Sequence, residues 1–306
     1  MKVLITGGAG FIGTNLTIGL LNSGFNVKVF DDLSTGLKQN ISKDAEFVNA
    51  SILETSLLNK ATEDCEVIVH LGARGSVPRS IKDPIATHNV NSTGTLNVLE
   101  AARTSKSHYI FSSSSSVYGS NTILPKNEGM VLRPITPYAA SKMTGEGLSL
   151  AYAKTYELPV STFRFFNIFG PWQRRDHEYA AVLPKWISKC MKGEEIEIFG
   201  DGEQTRDFTY VGTVVNVIID CILNKILHPE PVNLAYGNNI SLNQVTELLK
   251  NSFPDLKVKN LSPRAGDVLH SKNEPRLIKA LYPNVDIEKF ETSLEKTINW
   301  FKKSKT

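Results

Sequence analysis

Tyr138 and Lys142 are the two residues of this chain whose types and spacing point most directly to chemistry. Four residues make about one helical turn, so a helix would place the phenol and the ammonium on one face. Thr136 and Pro137 precede the pair as an N-cap and a first-turn proline, which predicts that the segment is helical. A phenol with a pKa of about 10 is a poor base, and bringing that pKa to neutral pH takes about 4 kcal/mol of differential stabilisation of the phenolate. A nearby ammonium can supply it, although a surface tyrosine packed along a lysine stem would show the same spacing.

The composition is that of an ordinary folded protein. Its 306 residues, 41% hydrophobic and 21% charged, are enough for a sizeable core in one or two lobes. The net charge of +3 is too small, and the basic and acidic residues are too evenly mixed, to indicate a nucleic-acid partner. A modest positive balance still suits an anionic small molecule.

Cysteine usage and hydropathy indicate the compartment. Cys65, Cys190 and Cys221 are widely spaced and form no Cys-x-x-Cys or Cys/His cluster, which favours a reducing cytoplasm. The histidines lack metal-ligand spacing, so we expect no metal. No apolar run is long enough to span a bilayer and no charged leader precedes the first strand pattern, so we expect a cytoplasmic protein without a membrane partner.

Short β-branched runs alternate with helical patterns in the first half of the chain. The helical patterns cover 12–22, 85–103 and 138–156, and the apolar runs cover 3–6, 27–30, 46–49, 67–71, 109–112 and 160–165. This alternation predicts an α/β fold in which a parallel sheet is covered on both faces.

The regular alternation ends after Asn167, which predicts a second, smaller lobe. A helix near 211–223 and an apolar run at 232–235 are expected to return to the main sheet. We therefore assign 1–166, together with 211–236, to a first domain, and 167–210 with 237–306 to a second one.

A glycine-rich loop follows the first predicted strand and opens the first predicted helix. Glycines are needed where such a turn is tight and where the backbone must approach a pyrophosphate at the helix N-terminus. The loop residues that we assign to the cofactor are Gly7, Gly10, Phe11, Ile12 and Gly13. A glycine-rich turn without a ligand is the alternative.

Asp31 ends the second predicted strand, where a carboxylate can bind the adenosine ribose hydroxyls. The same carboxylate repels a ribose 2′-phosphate, which favours NAD over NADP. Asp32, which we also group with the cofactor residues, fits a turn better.

The chain resembles the extended short-chain dehydrogenase/reductase family, and within it the NAD-dependent nucleotide-sugar epimerases. The matching segments span nearly the whole chain: 7–13, 70–73, Asn91, the serine run that ends at Ser116 with Val117, Tyr118 and Gly119, Tyr138 with Lys142, 164–170, 200–207 and 263–267. The resemblance implies a Rossmann-type doubly wound parallel sheet with a smaller C-terminal α/β lobe that binds the substrate. It also implies retained NAD, a UDP-sugar substrate and a homodimer.

In such enzymes the tyrosine takes a proton from a sugar hydroxyl while hydride leaves the same carbon for the nicotinamide. The resemblance gives this role to Tyr138, with Lys142 lowering its pKa and holding the nicotinamide ribose. Ser114 matches the catalytic serine that hydrogen-bonds the reacting oxygen, although a polar strand end would explain a serine run equally well. Further residues that the resemblance assigns to NAD are Ser51, Ile52, Leu71, Gly72, Ala73, Asn91, Ser112 and Phe165.

The residues after Ser114 discriminate between reactions of this family. The 4,6-dehydratases need an acid pair directly after the catalytic hydroxyl, where this chain has Ser115 and Ser116. The decarboxylases usually carry Glu just before Val-Tyr-Gly, at the position of Ser116. Reversible oxidation at C4 through a transient 4-keto sugar, that is 4-epimerisation, remains.

Substrate residues follow from the same resemblance. Arg206 and Arg264 match the pyrophosphate contacts, Asp267 the contact with the uridine ribose, and Asn167 a contact near the diphosphate and sugar. Either arginine could instead be a surface ion-pair partner.

Sugar choice depends on the residues that resemble UDP-N-acetylhexosamine 4-epimerases. These include Gly75, Ser76, Ala181, Val182, Lys185 and Trp186 in the segments 75–80 and 179–186, although Trp186 could be a core residue. Ser271 stands where a bulky tyrosine restricts other epimerases, which leaves room for a 2-acetamido group. We predict interconversion of UDP-N-acetylglucosamine and UDP-N-acetylgalactosamine, with UDP-glucose and UDP-galactose as further candidates. The alternatives are a UDP-hexuronate epimerase or dehydrogenase and a non-catalytic NAD-responsive binding protein.

Four positions depart from the family pattern. Ala50 and Ser51 replace the usual Gly-Asp, so a carboxylate that commonly binds adenine is missing. Gly212 stands where relatives have Asp, and Phe165 where many have Tyr.

Overall fold

Short apolar runs form one parallel seven-stranded sheet in the computed structural model, which describes residues 1–175, 181–263 and 269–304. The strands, in chain order, are β1 (Lys2–Thr6), β2 (Asn26–Phe30), β3 (Glu46–Val48), β4 (Val67–His70), β5 (His108–Ser114), β6 (Val160–Phe165), β7 (Ile168–Phe169), β8 (Ile196–Phe199), β9 (Thr205–Arg206), β10 (Thr209–Tyr210), β11 (Val232–Leu234), β12 (Ile240–Ser241) and β13 (Val258–Leu261).

The helices are α1 (Phe11–Asn22), α2 (Thr55–Thr62), α3 (Val77–Lys82), α4 (Pro84–His88), α5 (Gly94–Ser105), α6 (Pro137–Tyr156), α7 (Val182–Met191), α8 (Val211–Leu223), α9 (Leu242–Lys250), α10 (Arg276–Leu281) and α11 (Phe290–Lys303). Within the described ranges, none of them is both long enough and apolar enough to cross a lipid bilayer.

The chain divides into two compact units. The first comprises 1–122, 128–165 and 215–234, and the second comprises 123–127, 166–214 and 235–306. Each unit has its own apolar core. The predicted assignment of the cofactor to one domain and the nucleotide sugar to the other stays a prediction.

The sheet of the first unit has the order β11-β6-β5-β4-β1-β2-β3, with every neighbouring pair parallel. This is the order of a doubly wound α/β sheet, so the predicted fold class is confirmed. Chain order reverses between β1 and β4, which lie side by side with Thr6 opposite His70. Ligands of such sheets bind in the crevice outside the carboxyl ends of the strands at this switch point.

The predicted helix at 85–103 is interrupted. A π-helical turn, Asn89–Thr93, separates α4 from α5. The apolar spacing runs through this segment, but the side chain of Asn91 bonds to the backbone of Arg74 and to Ser141, both distant in sequence. The widened turn therefore accompanies long-range hydrogen bonds, as π-turns at functional sites often do.

The core of the second unit consists of aromatic and aliphatic side chains from α7, α9 and α11. Phe169, Phe208 and Phe290 stack or meet edge to face, with ring centroids 5.3–6.0 Å apart. Trp186, 3% exposed, lies in the same cluster. Short strand pairs β7 with β10, β8 with β13, and β9 with β12 frame this core.

Candidate active site

Helix α6 places Tyr138 and Lys142 one turn apart. The Thr136 side chain accepts a hydrogen bond from the backbone N–H of Ala139 at 3.2 Å, and Pro137 is the first helical residue. Both features were expected of a helix start, and the prediction that the phenol and the ammonium lie on one helix face is confirmed.

Tyr138 is hydrogen-bonded to Ser114. Burial raises the pKa of the Tyr138 phenol, and the bond to Ser114 opposes that rise. Ser114 ends β5, and its Oγ also accepts the N–H of Ser116 at 3.2 Å, which caps the 3-10 turn Ser115–Tyr118. The strand end and the turn together fix the direction of the Ser114 side chain.

Lys142 is buried one helical turn after Tyr138. Its Nζ donates to the carbonyl oxygen of Ser112 at 2.7 Å and lies 5.1 Å from the centre of the Phe111 ring. Burial lowers the pKa of Lys142 to about 8, and the charge of Glu146 opposes that fall. Lys142 therefore loses its charge at a lower pH than an exposed lysine, and the neighbouring groups set that pH.

The glycine loop is tightly packed against itself. Gly7 has φ of +70°, and a Cβ there would lie 2.8 Å from the Cα of Gly72. A Cβ on Gly13 would lie 2.4 Å from the carbonyl oxygen of Gly7 and 2.6 Å from the Cα of Gly8. Gly10 precedes α1 and has no side chain to cap the helix, so the positive end of α1 is open to an anion such as a pyrophosphate. Phe11 and Ile12, half-buried, form the first turn.

Asp31 lies directly after β2, beside this loop. Its carboxylate accepts the N–H of Ala9 at 3.0 Å and of Leu33 at 2.8 Å, which holds the side chain against the glycine loop. Burial raises the pKa of Asp31, and the two backbone bonds oppose that rise. Asp32 is exposed and accepts the N–H and the hydroxyl of Ser34, so it forms a turn.

The residues after β4 lie at the switch point beside the glycine loop. Leu71, Gly72 and Ala73 are half-buried, and the N–H of Leu71 donates to Thr6. Asn91 is 2% exposed and accepts the N–H of Arg74 at 2.7 Å. Its amide donates to Ser141 at 3.0 Å, and Ser141 donates to the carbonyl of Tyr138, so Asn91 ties this loop to α6.

His70 links the same loop to α5 through one directed chain of hydrogen bonds. Thr95 Oγ1 donates to the carbonyl of Asn91 at 2.6 Å, so it accepts from His70 Nε2 at 3.0 Å. Thr6 Oγ1 accepts the N–H of Gly72 at 3.1 Å and meets His70 Nδ1 at 2.7 Å, where it must donate. Burial and the charge of Lys142 lower the pKa of His70 to about 3, so the ring is neutral, protonated at Nε2.

The remaining predicted cofactor residues occupy several strand ends. Ser112 is the acceptor for Lys142, and its own hydroxyl donates to the His70 carbonyl at 3.0 Å. Phe165 ends β6 opposite Ser114. Ser51 begins the turn before α2, its Oγ accepting the N–H of Leu53 at 3.3 Å, and Ile52 packs against Gly94.

The glycine cradle, the open N-terminus of α1, Asp31 and Lys142 suit the pyrophosphate and ribose groups of NAD. When bound, NAD would supply a hydride acceptor and donor. Among the residues that the structure describes, no three His, Cys, Asp or Glu side chains are grouped closely enough to hold a metal ion.

Two predicted sugar contacts belong to the first unit. Gly75 is exposed, and a Cβ there would meet no atom within 4 Å. Ser76 caps α3 by accepting the N–H of Arg79 at 3.3 Å.

In the second unit, Asp207 contacts one predicted substrate residue, Asn167, and two further segments of the chain. Its Oδ2 accepts the N–H of Asn273 at 2.8 Å and of Gly237 at 3.1 Å, and its carbonyl accepts the Asn167 amide at 3.1 Å. Burial raises the pKa of Asp207 to about 7, and its backbone hydrogen bonds oppose that rise. Arg206, its neighbour, donates to the carbonyls of Thr205 and Leu269.

The other predicted residues of the second unit are spread over α7 and the end of the chain. Ala181 is the exposed N-cap of α7, Val182 is half-buried, and Lys185 lies 3.7 Å from Glu197. The N–H of Ser271 donates to the Thr205 carbonyl at 3.1 Å. Burial of Trp186 favours the core alternative for that residue. Arg264 and Asp267 lie outside the described residues, as does Tyr179.

At the departure position Gly212, a Cβ would lie 2.6 Å from the Tyr210 ring, so a larger side chain requires this ring to move.

The sequence interpretation missed Glu146 and assigned His70 no role. Glu146 lies four residues after Lys142, which was a readable signal, but its partners come from separate strands. His70 was recognisable only as a polar residue at the end of an apolar strand.

Comparisons with known proteins add a family and several relatives. The model of the NAD dependent epimerase/dehydratase family matches residues 3–235. The UDP-glucose 4-epimerase of Mycolicibacterium smegmatis is 39% identical over 228 residues, which cover 72% of this chain and 72% of that protein.

Two solved structures are similar over nearly the whole chain. The UDP-N-acetylglucosamine 4-epimerase from Methanobrevibacter ruminantium M1, in complex with UDP-N-acetylmuramic acid, is 33% identical with a TM-score of 0.92, covering 98% of this chain and 97% of that one. The UDP-glucuronic acid 4-epimerase from Bacillus cereus, with UDP-glucuronic acid and NAD, is 28% identical with a TM-score of 0.88, covering 99% of each chain.

Proposed function

Because the chain belongs to the NAD dependent epimerase/dehydratase family, we propose that it is a UDP-sugar 4-epimerase that retains NAD through turnover. The family predicted from the sequence motifs is confirmed, and NAD is its cofactor. The observation that carries the proposal is the Tyr138–Ser114 hydrogen bond, with the buried Lys142 one helical turn after Tyr138 and serines at 115 and 116.

Each of these side chains has a chemical task. Tyr138 takes the proton of the sugar 4-hydroxyl and later returns it, while Ser114 hydrogen-bonds the same oxygen. The Lys142 ammonium stabilises the phenolate, which burial alone would disfavour. NAD supplies the matching hydride acceptor and donor.

Ser115 and Ser116 support epimerisation over elimination or decarboxylation. They form the first half of the 3-10 turn after Ser114, and neither carries a carboxyl group that could protonate a leaving hydroxyl. Without such an acid we expect the 4-keto sugar to be reduced again, and return of the hydride to its opposite face inverts C4.

Small side chains favour an acetylated sugar. Gly75 is open, and Ala181 and Ser271 carry little bulk. The relative from Methanobrevibacter ruminantium is a UDP-N-acetylglucosamine 4-epimerase. We therefore propose UDP-N-acetylglucosamine and UDP-N-acetylgalactosamine as the main substrates, with UDP-glucose and UDP-galactose as smaller ones that also fit.

The second unit is proposed to bind the nucleotide. Arg206 and Arg264 would neutralise the diphosphate, Asp267 would contact the uridine ribose, and Asn167 would contact the substrate near the sugar. Asn167, held by Asp207, has φ of +37°, a conformation that asparagine tolerates better than most residues.

A UDP-hexuronate epimerase or dehydrogenase is the second candidate. The relative from Bacillus cereus is a UDP-glucuronic acid 4-epimerase at 28% identity. That function requires a cation that reaches C6 of the sugar. The non-catalytic alternative, an NAD-responsive binding protein, would not require Tyr138, Lys142 and Ser114 together.

The test is a product assay on purified protein without added reductant. UDP-N-acetylglucosamine, UDP-glucose and UDP-glucuronate are incubated separately, and the C4 epimers are separated by ion-exchange chromatography. We expect UDP-N-acetylgalactosamine to form fastest. Bound NAD without conversion of any of the three would refute the epimerase, and conversion of the uronate alone would favour the second candidate.

A further inference from the structure

Glu146 forms a buried ion pair next to the candidate catalytic residues. Its carboxylate accepts from Arg164 Nε at 2.9 Å and from Arg164 Nη2 at 2.8 Å, so the contact is bidentate. Both side chains are 4% exposed. The same Oε1 atom accepts the Ser113 hydroxyl at 2.5 Å.

The arginine half of the pair is anchored to the sheet. Arg164 Nη1 donates to the Tyr118 hydroxyl at 2.9 Å, and that hydroxyl donates to Asn233 Oδ1 at 2.7 Å. These residues come from β6, the 3-10 turn and β11, respectively. The pair therefore fixes Glu146 to three parts of the first unit.

We propose that Glu146 is a positioning residue for the Tyr138, Lys142 and Ser114 group. It acts in two ways. Through its hydrogen bond with Ser113 it holds the carboxyl end of β5. Ser114 follows Ser113 in this strand, and the carbonyl of Ser112, which precedes it, accepts from Lys142. Through its charge, one turn along α6, it keeps Lys142 protonated. The inference rests on the proposed function for the roles of Tyr138 and Ser114.

The charges around Lys142 agree with this assignment. On its own helix it faces Glu146, which raises its pKa, on β5 it faces the Phe111 ring and the Ser112 carbonyl, and on β4 it faces neutral His70. Glu146 in turn faces Arg164 on β6 and Ser113 on β5. Glu146 is therefore the anionic side chain that supports the buried ammonium.

The free-energy cost of burying two charges also supports a functional role for Glu146. Taking two charges out of water is unfavourable, and buried ion pairs can often be replaced by apolar residues without loss of stability. A carboxylate whose only task was packing could be replaced in this way. A carboxylate that sets the charge of Lys142 could not.

The test measures the titration of Lys142 directly. Protein with 13C at lysine Cε is titrated by NMR, and the Lys142 signal is identified by its loss in Lys142→Met. We expect a midpoint near 8 in the parent protein. In Glu146→Gln the midpoint should fall by at least about half a pH unit, since the opposite charge is gone. Glu247→Gln, which breaks the exposed pair with Lys250, is the matched control and should leave the midpoint in place.

An unmoved midpoint in folded Glu146→Gln would overturn the electrostatic role, because the charge proposed to keep Lys142 protonated would have been removed without effect. If Glu146→Gln does not fold, the double variant with Glu146→Gln and Arg164→Met is compared with Arg164→Met alone, so that the two proteins differ only at Glu146, and a lower midpoint is expected in the double variant. The Ser113 route is tested by Ser113→Ala, for which we expect kcat to fall by about 10-fold or more without a change in KM or in the Lys142 midpoint. An unchanged kcat would overturn that route.

The two failures are distinguishable because the titration needs no turnover. A shifted midpoint in a protein that converts no UDP-sugar would refute the proposed function alone. Turnover with an unmoved midpoint would refute the role of Glu146 alone.

Discussion

At the scale of residues, the chemistry depends on a phenol that burial makes less acidic. The pKa of Tyr138 is raised by burial, so the phenolate needs the charge of Lys142 and the hydrogen bond of Ser114. Neither helper is freely mobile, because Lys142 is tied to Ser112 and Ser114 to the turn that follows it.

Tyr138→Phe keeps the ring and removes the proton acceptor. We expect kcat to fall by about 10²- to 10⁴-fold while the NAD content of the purified protein is unchanged. Tyr156→Phe, at the exposed end of the same helix, is the control and should retain activity. Equal activity of the two variants would contradict the role of Tyr138.

The pKa of Lys142 predicts the alkaline limb of the pH profile. The folded pKa of about 8 is below the ordinary value of 10.5, so the ammonium is present below pH 8 and lost above it. We expect kcat to decline as the pH rises through about 8. A kcat that stayed constant to about pH 10 would mean that the Lys142 charge is not required.

Residue types and helical spacing were sufficient to predict that Tyr138 and Lys142 share a face, because both lie on one local element. Glu146 lies four residues after Lys142, yet its role depends on Arg164, a residue of a separate strand. The tautomer of His70 likewise follows from Thr6 and Thr95, 64 and 25 residues away. Such long-range partners cannot be paired from sequence pattern alone.

At the scale of elements, close contacts within the glycine loop limit the size of the side chains that it can hold. In Gly13→Ala the new Cβ would overlap the Gly7 carbonyl. Overpacking of this kind costs about 1–3 kcal/mol, and we expect it to displace the loop and lower NAD retention by about 10-fold. The measurement is NAD released from purified protein.

Gly24→Asn is the matched control, at the other end of α1. A Cβ there meets no atom within 4 Å, and asparagine tolerates the φ of +80°. It should retain NAD. Equal retention by both variants would show that the Gly13 contact does not shape the site.

The carboxyl group of Asp207, in the second unit, should titrate near neutral pH. The folded pKa of Asp207, about 7, is above the ordinary value of 3.8, so between these values the folded chain holds a proton that the unfolded chain releases. This contribution to stability is fully present below about pH 3.8 and is lost as the pH rises from there to about 7.

We therefore expect Asp207→Asn to gain stability relative to the parent protein as the pH rises from about 4 to about 7, measured by thermal unfolding at a series of pH values. Asp201→Asn, at an exposed turn between β8 and β9, is the control and should show a constant offset. Parallel curves for Asp207→Asn and the parent protein would contradict the raised pKa.

The helix at 85–103 shows where element prediction was incomplete. Apolar spacing located the helical segment, but spacing cannot register one widened turn. The hydrogen bonds of Asn91 to Arg74 and Ser141 join three parts of the chain, and the π-turn contains Asn91.

At the scale of the whole molecule, three neighbouring helices present an apolar outer surface. Ile85 on α4, Leu96 on α5 and Met143 on α6 are exposed, and α4 and α5 both pack against α6. The outer face of α6 carries small exposed residues, Ala140, Thr144 and Gly147, which would allow another helix to pack closely against it. We propose that a homodimer covers this surface.

Ile85→Glu tests the dimer by light scattering after size exclusion. We expect the parent protein at twice the chain mass of 33.8 kDa and the variant at the chain mass. Leu227→Glu, at an exposed position away from these helices, should remain dimeric. A monomeric parent protein would refute the dimer.

The order of segments along the chain restricts how the protein can be divided. The first unit needs β11 as its edge strand, yet β11 follows residues 166–214 of the second unit. A fragment ending at Phe165 would leave β6 paired with β5 alone, as an uncovered edge strand, and would remove Asn233, the acceptor for Tyr118. Neither half can therefore be expressed from one uninterrupted piece of gene, and a separate cofactor-binding fragment would require an engineered linker from Phe165 to Val215.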